Sequence, residues 1–373
     1  LEERTEDAGG DSVRGQPKHR RIGERRERGD VVTKRAVSIR EVAMQAGVSL
    51  GTVSNVLNRP ESVAEPTRRA VLTAIEELGY VRNASASRLR AKKSMVMGVL
   101  VVDYANPFVT AYVEAAEQAL ARYGYSAVVA GTGFDFERVE RQLLQLEEFR
   151  VAGVVLPPVF TQELAPRIKA MRARGMSFAY VGGINSTTEG CSTEIDQVDG
   201  GRLAGQHLLE IGRRRIVFVT GPRDLDFANI RLDGLRAAAA DRDDVVIEVV
   251  TIDDLTGLEG HAATDAILAY EPDAVFCAND LTALGVLRGL IERGCRVPDD
   301  IALIGYDDII FAEIATVPLT TIRQPPAIGA AAAELLVNEA NEPDHIHRRI
   351  SFAPELVVRD STVSTERSLP KVG

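Results

Sequence analysis

From Val96 onward, short runs rich in β-branched residues alternate with amphipathic windows whose apolar positions recur every three to four residues. The runs are 96–102, 126–130, 153–156 and 177–181, followed by 216–220, 245–250, 274–277 and 301–305. Strands separated by a helix pair as parallel neighbours, because the helix carries the chain back across the sheet, and a parallel sheet needs both faces covered. Two successive sets of four strands predict two similar α/β lobes. Ligands of such sheets lie beyond the carboxyl ends of the strands, so the cleft between the lobes is the expected small-molecule site.

At 373 residues and 45% apolar composition the chain can fill a large core and still carry a smaller domain ahead of it. No run of about 18 apolar residues occurs, and the N-terminus is charged where a secretory signal would be apolar. Cys191, Cys277 and Cys295 cannot all pair and show no Cys-x-x-Cys spacing. These features predict a protein of the reducing cytoplasm with no membrane partner. The net charge of -10 is unevenly spread: residues 1–95 hold 19 Lys and Arg against 13 Asp and Glu, residues 96–373 hold 25 against 41. The basic end can approach phosphates that the acidic body repels.

Residues 1–35 are rich in Arg, Glu and Gly without apolar periodicity, and are expected to be disordered. The chain opens on Leu1 rather than Met, which fits an over-extended start, with the native start expected near Val31 or Val32. Residues 36–82 read as three short helices. Ser38 can cap the first, whose Val42, Ala43 and Ala46 face inward; Gly47 supplies a tight turn; Ser49 caps the second, with Val53, Val56 and Leu57 inward. Leu50, Gly51, Thr52, Ser54 and Asn55 then face out, and Ser49 and Asn58 flank them. A third helix starts at Glu65-Pro66-Thr67, presents Ala70, Val71, Ala74, Ile75 and Leu78 on one face, and ends at Gly79. Those are the mechanics of a helix-turn-helix that lays its second helix in the major groove, although a helical hairpin with no nucleic-acid role would use the same spacing. Residues 83–95 are too short to hold a helix alone and read as a hinge.

The blocks Val-Ala-x-x-Ala-Gly-Val-Ser (Val42–Ser49) and Thr-Val-Ser-Asn-Val-Leu-Asn (Thr52–Asn58) make the segment Ser38–Lys93 resemble the headpiece of the LacI/GalR repressor family. The resemblance continues to about Thr362 through Asn106-Pro107-Phe108, Asp199-Gly-Gly-Arg202, Gly221-Pro222, Arg231-Leu-Asp-Gly234, Ala278-Asn-Asp280 and Gly305-Tyr-Asp-Asp308. It implies an all-α helix-turn-helix headpiece followed by a two-lobed, periplasmic-binding-protein-like α/β core (96–373), acting as an effector-controlled repressor. It also implies that Leu50, Gly51 and Asn55 read base edges and that Leu89 wedges into the minor groove. Of these, Asn55 can bond adenine in a bidentate manner, while Leu50 and Gly51 offer only apolar contact or close backbone approach. Leu89 could instead pack the hinge against its dimer mate. Arg82 stands where the family often has proline; with Asn83, Arg88, Arg90, Lys92 and Lys93 it is assigned to the DNA side, the cations on phosphates.

In the core, Arg231, Asn279 and Asp307 have the planar polar chemistry that suits sugar hydroxyls. Asn279 and Asp307 follow predicted strands, and Arg231 is expected to open a helix. Each has a structural alternative, as helix cap or ion-pair partner, and for Asp280 the cap is the expectation. Tyr104, Phe108, Phe134 and Phe160 follow the first three strands and either cover a ligand ring or pack in the core. The chain has no Trp, and Leu255 sits where some sugar-binding relatives carry a stacking Trp; Gly182-Gly183 stands where many have Asp-Arg. A nucleoside-type metabolite or a protein co-regulator is the alternative effector.

Enzyme readings lack a constellation. His207 and His261 fall in predicted helices with no adjacent nucleophile. His345-x-His347 lies in a polar connector without further ligands in the nearby sequence, so a solvated loop is expected and no metal or other cofactor. Gly131-x-Gly133 lacks the third glycine of a dinucleotide loop. A periplasmic sugar-binding protein would explain residues 96–360 but not the headpiece or the missing signal peptide. The C-terminal residues 361–373 carry no apolar heptads, so the expected assembly is a homodimer on a pseudo-palindromic double-stranded operator.

Overall fold

The computed structural model describes residues 37–81, 94–157, 159–182, 189–222, 226–342 and 344–363. The chain divides into two compact units, residues 1–87 and 88–373. In the first, α1 (Ile39–Gln45), α2 (Leu50–Asn58) and α3 (Glu65–Leu78) enclose a small core of Val42, Ala43, Val53, Val56, Val71 and Ala74. Ser38 and Glu41 close a reciprocal capping box on α1, satisfying two amides that the first turn leaves without partners. Gly47, at φ +66°, turns the chain into α2, a conformation a side chain would strain. Gly79 ends α3 in the same left-handed region. Ala70, expected on the inner face of α3, is exposed: the buried stripe is Val71 and Ala74, one position round the helix.

Among its described residues the second unit holds two six-stranded sheets. The first is built from β1 (Val96–Val101), β2 (Ser126–Gly131), β3 (Gly153–Leu156), β4 (Ser177–Val181), β5 (Cys191–Ile195) and, much later, β11 (Arg349–Phe352), in the order β11-β5-β4-β3-β1-β2. The second contains β6 (Arg215–Thr220), β7 (Val246–Thr251), β8 (Ala274–Cys277), β9 (Ala302–Asp307), β10 (Thr320–Arg323) and β12 (Glu355–Val357), in the order β12-β10-β9-β8-β6-β7. Among the described residues every pairing is parallel except β10 with the edge strand β12. Both sheets thus reverse direction of winding between their first and third strands, the point at which doubly wound sheets open a crevice.

Eight of these strands fall where the apolar runs lie; β5, β10, β11 and β12 do not. Their consequence is topological. The chain leaves the first lobe after β5, returns through the helix Ala327–Asn341, which packs on the first sheet, and crosses again between β11 and β12. The lobes are therefore joined by three strands of chain rather than by one linker. Cys191 and Cys277 are buried and unpaired. Among the described residues no helix is long and apolar enough to cross a membrane.

Candidate functional site

The DNA-reading candidates of α2 divide by what holds them. Ser49 Oγ accepts from the Thr52 amide at 3.1 Å and lies 2.9 Å from Thr52 Oγ1, so both hydroxyls serve the helix N-terminus. Asn58 Nδ2 donates to the Ser54 carbonyl at 2.8 Å and to its hydroxyl at 3.2 Å. Leu50, Gly51 and Asn55 are left exposed on the outer surface. An exposed amide can donate and accept at once, which is what an adenine edge requires. Arg82, Asn83, Arg88, Leu89 and Lys93 lie outside the described residues, as does the tail 1–35.

The core site centres on Asp307, the last residue of β9, which is 5% exposed and held at φ +116°. Non-glycine residues pay about 1–3 kcal/mol for such backbone, so the surroundings must enforce it. Asn106 of the first lobe donates from Nδ2 to one carboxylate oxygen at 2.9 Å, and Gln324, on the crossing segment after β10, donates to the other. Asn106 itself caps the helix Pro107–Arg122 by accepting from the Phe108 amide. Gln324 Oε1 in turn accepts from Gln197 Nε2, and Gln197 Oε1 accepts from Arg231 Nε at 2.8 Å. The Arg231 guanidinium also donates to the Ala278 carbonyl and lies 3.5 Å from the centroid of the Tyr306 ring. Burial pushes the Asp307 carboxyl above its usual range, against the pull of Arg231. A single polar chain therefore runs from the first lobe, through Asp307, to the carboxyl end of β8. Gln197 and Gln324 were not singled out from sequence, and Asn106 and Tyr306 stand there only within family-like blocks rather than as site residues; the Asn-Pro-Phe cap at Asn106 carried a usable signal, while Gln324 follows a strand, Thr320–Arg323, with a single aliphatic residue.

Three expectations need correction. Arg231 does not open its helix; it sits in the second turn of Asp226–Ala238. Asn279, rather than Asp280, caps the helix Asp280–Glu292: Asn279 Oδ1 accepts from the Thr282 amide at 2.8 Å while Nδ2 donates to the Leu255 carbonyl. Asp280 is already helical and fully buried, accepting from Thr321 Oγ1 at 2.6 Å and the Ile309 amide at 2.9 Å. Finally, His345 and His347 are not a bare loop pair. The β5–β11 register brings Cys191 beside them, and Glu339 lies within the same cluster.

The four rings differ in placement. Phe108 touches the apolar cores of both lobes and meets Tyr112 edge-on at 5.6 Å. Phe160 packs edge-on against Phe136 and joins the core of the first lobe. Tyr104 and Phe134 remain exposed, the Tyr104 ring lying over Gly131 in the space a side chain there would fill.

A three-helix reading unit and a two-lobed core with a bridged cleft define a class: helix-turn-helix regulators carrying a periplasmic-binding-protein-like sensor. Residues 38–83 match bacterial regulatory proteins of the lacI family, and residues 206–362 match the periplasmic binding protein-like domain. The HTH-type transcriptional repressor PurR of Vibrio vulnificus (strain CMCP6) is 32% identical over 338 residues, 87% of this chain and 98% of its own. The crystal structure of the Lac repressor dimer bound to operator and the anti-inducer ONPF shares 28% identity at a TM-score of 0.77, covering 88% of this chain and 99% of that one. The transcriptional regulator CelR–cellobiose complex shares 33% identity at a TM-score of 0.65, covering 87% and 99%. The chain belongs to the LacI family: it is a DNA-binding transcriptional regulator, and its relatives are repressors rather than enzymes.

Proposed function

We propose that this regulator represses transcription as a cytoplasmic homodimer on a pseudo-palindromic operator, and releases or tightens on it when a sugar or sugar derivative enters the core cleft. The observation that carries the effector half is the Asn106–Asp307–Gln324 bridge, since both Asp307 oxygens are already engaged and one partner belongs to the other lobe. A ligand hydroxyl that displaces the Asn106 amide would exchange a lobe-to-lobe bond for a ligand bond. By linkage, the ligand then biases whichever lobe arrangement it binds better, and only by that difference. Cellobiose in the CelR complex supports the sugar class, and the dimer on operator in the Lac repressor complex supports the assembly. Arg231 and Asp307 are the proposed polar contacts, with the exposed Tyr104 and Phe134 rings against the ligand's apolar face. Phe108 and Asn279 support the cleft, as their packing and capping indicate, and Phe160 belongs to the core. On the DNA side, Asn55 reads a base edge, Leu50 and Gly51 approach it closely, and Leu89 wedges a base step between cations on phosphates.

The test is a thermal-shift panel of pentoses, hexoses, disaccharides, sugar phosphates and nucleosides. A ligand at 100 times its dissociation constant adds about 2.7 kcal/mol, a plain rise in Tm. A sugar that raises Tm in the wild type but not in Asp307→Asn or Arg231→Lys is the expected result; a response to nucleosides alone, or to nothing, would overturn the sugar assignment.

A further inference from the structure

Cys191 opens β5, Glu339 sits in the last turn of the helix Ala327–Asn341, and His345 and His347 lie just ahead of β11. These residues are far apart in sequence, yet one ligand atom from each falls within 4.8 Å of the others. Cys191 Sγ is 2.9 Å from His345 Nε2 and 3.9 Å from His347 Nδ1, and His347 Nδ1 is 3.5 Å from Glu339 Oε2. A tetrahedral zinc site with bonds of about 2.0–2.3 Å has ligand-to-ligand edges of roughly 3.3–3.7 Å. The separations of 2.9, 3.5 and 3.9 Å straddle that range and every other pair lies within 4.8 Å, so side-chain shifts of up to about 1 Å close the tetrahedron.

The second observation is the state of Glu339. Its Oε1 is anchored by the Phe178 amide at 3.1 Å and by Arg172 Nε at 3.2 Å. Its Oε2 is buried and accepts no hydrogen bond among the described residues. A carboxylate with one oxygen tethered and the other left open towards a thiol and two imidazoles is how supporting bonds orient a metal ligand. Cys191 is similarly placed by its surroundings: the Arg348 amide points at Sγ from 3.4 Å, and the Ser192 amide bonds the Arg348 carbonyl.

We propose that Cys191, Glu339, His345 and His347 bind one divalent cation of the zinc class. A thiolate, a carboxylate and two neutral imidazoles balance a dication, and the donor set of sulfur, nitrogen and oxygen selects a borderline-soft ion over magnesium or calcium. The Cys191 proton leaves to solvent on binding. Four protein ligands leave no open position, so the ion is structural: it staples β11 and the connector before it to β5 and to the helix Ala327–Asn341, the helix that returns the chain to the first lobe. The metal would thus fix, within the first lobe, the ends of β5, β11 and the returning helix that lie away from the crossings, and its ligands are none of the residues of the Asp307 cleft.

The experiment is a titration of the untagged, metal-stripped full chain with Co(II), followed by displacement with Zn(II). One equivalent is expected to bind, with a thiolate-to-cobalt charge-transfer band that zinc abolishes. Cys191→Ser should lose that band, and His347→Gln, which alters a side chain 39% exposed, should weaken binding at least about tenfold while circular dichroism stays unchanged. Should Cys191→Ser misfold, His347→Gln decides alone. Saturation at other than one equivalent, no saturable binding, or equal affinity in His347→Gln overturns the proposal.

Discussion

His207 and Asp307 are buried groups whose surroundings act in opposite directions on stability. Burial lowers the His207 imidazole below its ordinary value, and its Nε2 lies 2.8 Å from Thr362 Oγ1. The unfolded chain takes up a proton near pH 6.5 where the folded one does not, so this contribution is whole above that pH and is lost as pH falls through it. His207→Gln should flatten the decline of Tm on acidification below about pH 6.5. Asp307 is raised by burial, so the folded protein holds that proton to higher pH than the unfolded chain, and stability falls as pH climbs above about 3.8. Buried Asp280 adds to the same slope. Asp307→Asn should remove the Asp307 share and leave the rest, read as a shallower loss of Tm between the acid limb and neutrality.

At the scale of elements, α2 depends on its cap. Ser49→Ala removes the acceptor for the Thr52 amide and should cost about 0.5–2 kcal/mol. Measured by amide exchange in the full chain, the α2 amides should lose protection while those of β8 and β9 do not. The headpiece was legible because every boundary has a local cause: Ser38, Gly47, Ser49, Pro66 and Gly79 each do a job that only a few residue types can do. Ala70 was misplaced because a small residue fits either side of a helical stripe. In the core, Val96–Val101 and Ala274–Cys277 announce themselves as unbroken apolar runs. Thr320–Arg323 and Arg349–Phe352 are polar at half or more of their four positions, and the second is an edge strand with alternate positions exposed, so neither departs from the pattern of a loop. The same blindness hid the cluster around His345 and His347, whose other members arrive through the pairing of β5 with β11.

At the scale of the molecule, what matters is which distant segments meet. Asn106 and Asp307 are 201 residues apart, and no periodicity reports that contact. Arg231 and Asp307 could be chosen from their chemistry and from the crevice rule, but their partners Gln197 and Gln324 follow from a chain that crosses between lobes three times. Asn106→Ala leaves one oxygen of a buried carboxylate without its donor and should cost about 1.5–3 kcal/mol in urea unfolding at neutral pH. The same variant should shift the dose at which an effector acts, because it weakens the arrangement of lobes that the bridge favours.

The central claim, that the headpiece addresses DNA as one half of a symmetric reader, is tested most directly by selecting double-stranded DNA from a random pool with the full chain and sequencing what is retained. An enriched inverted repeat is expected, and Asn55→Ala should blur one position in each half-site, at about 1–3 kcal/mol of lost discrimination. An enriched site without two-fold symmetry, or retention that tracks only low salt with no enriched sequence, would contradict it.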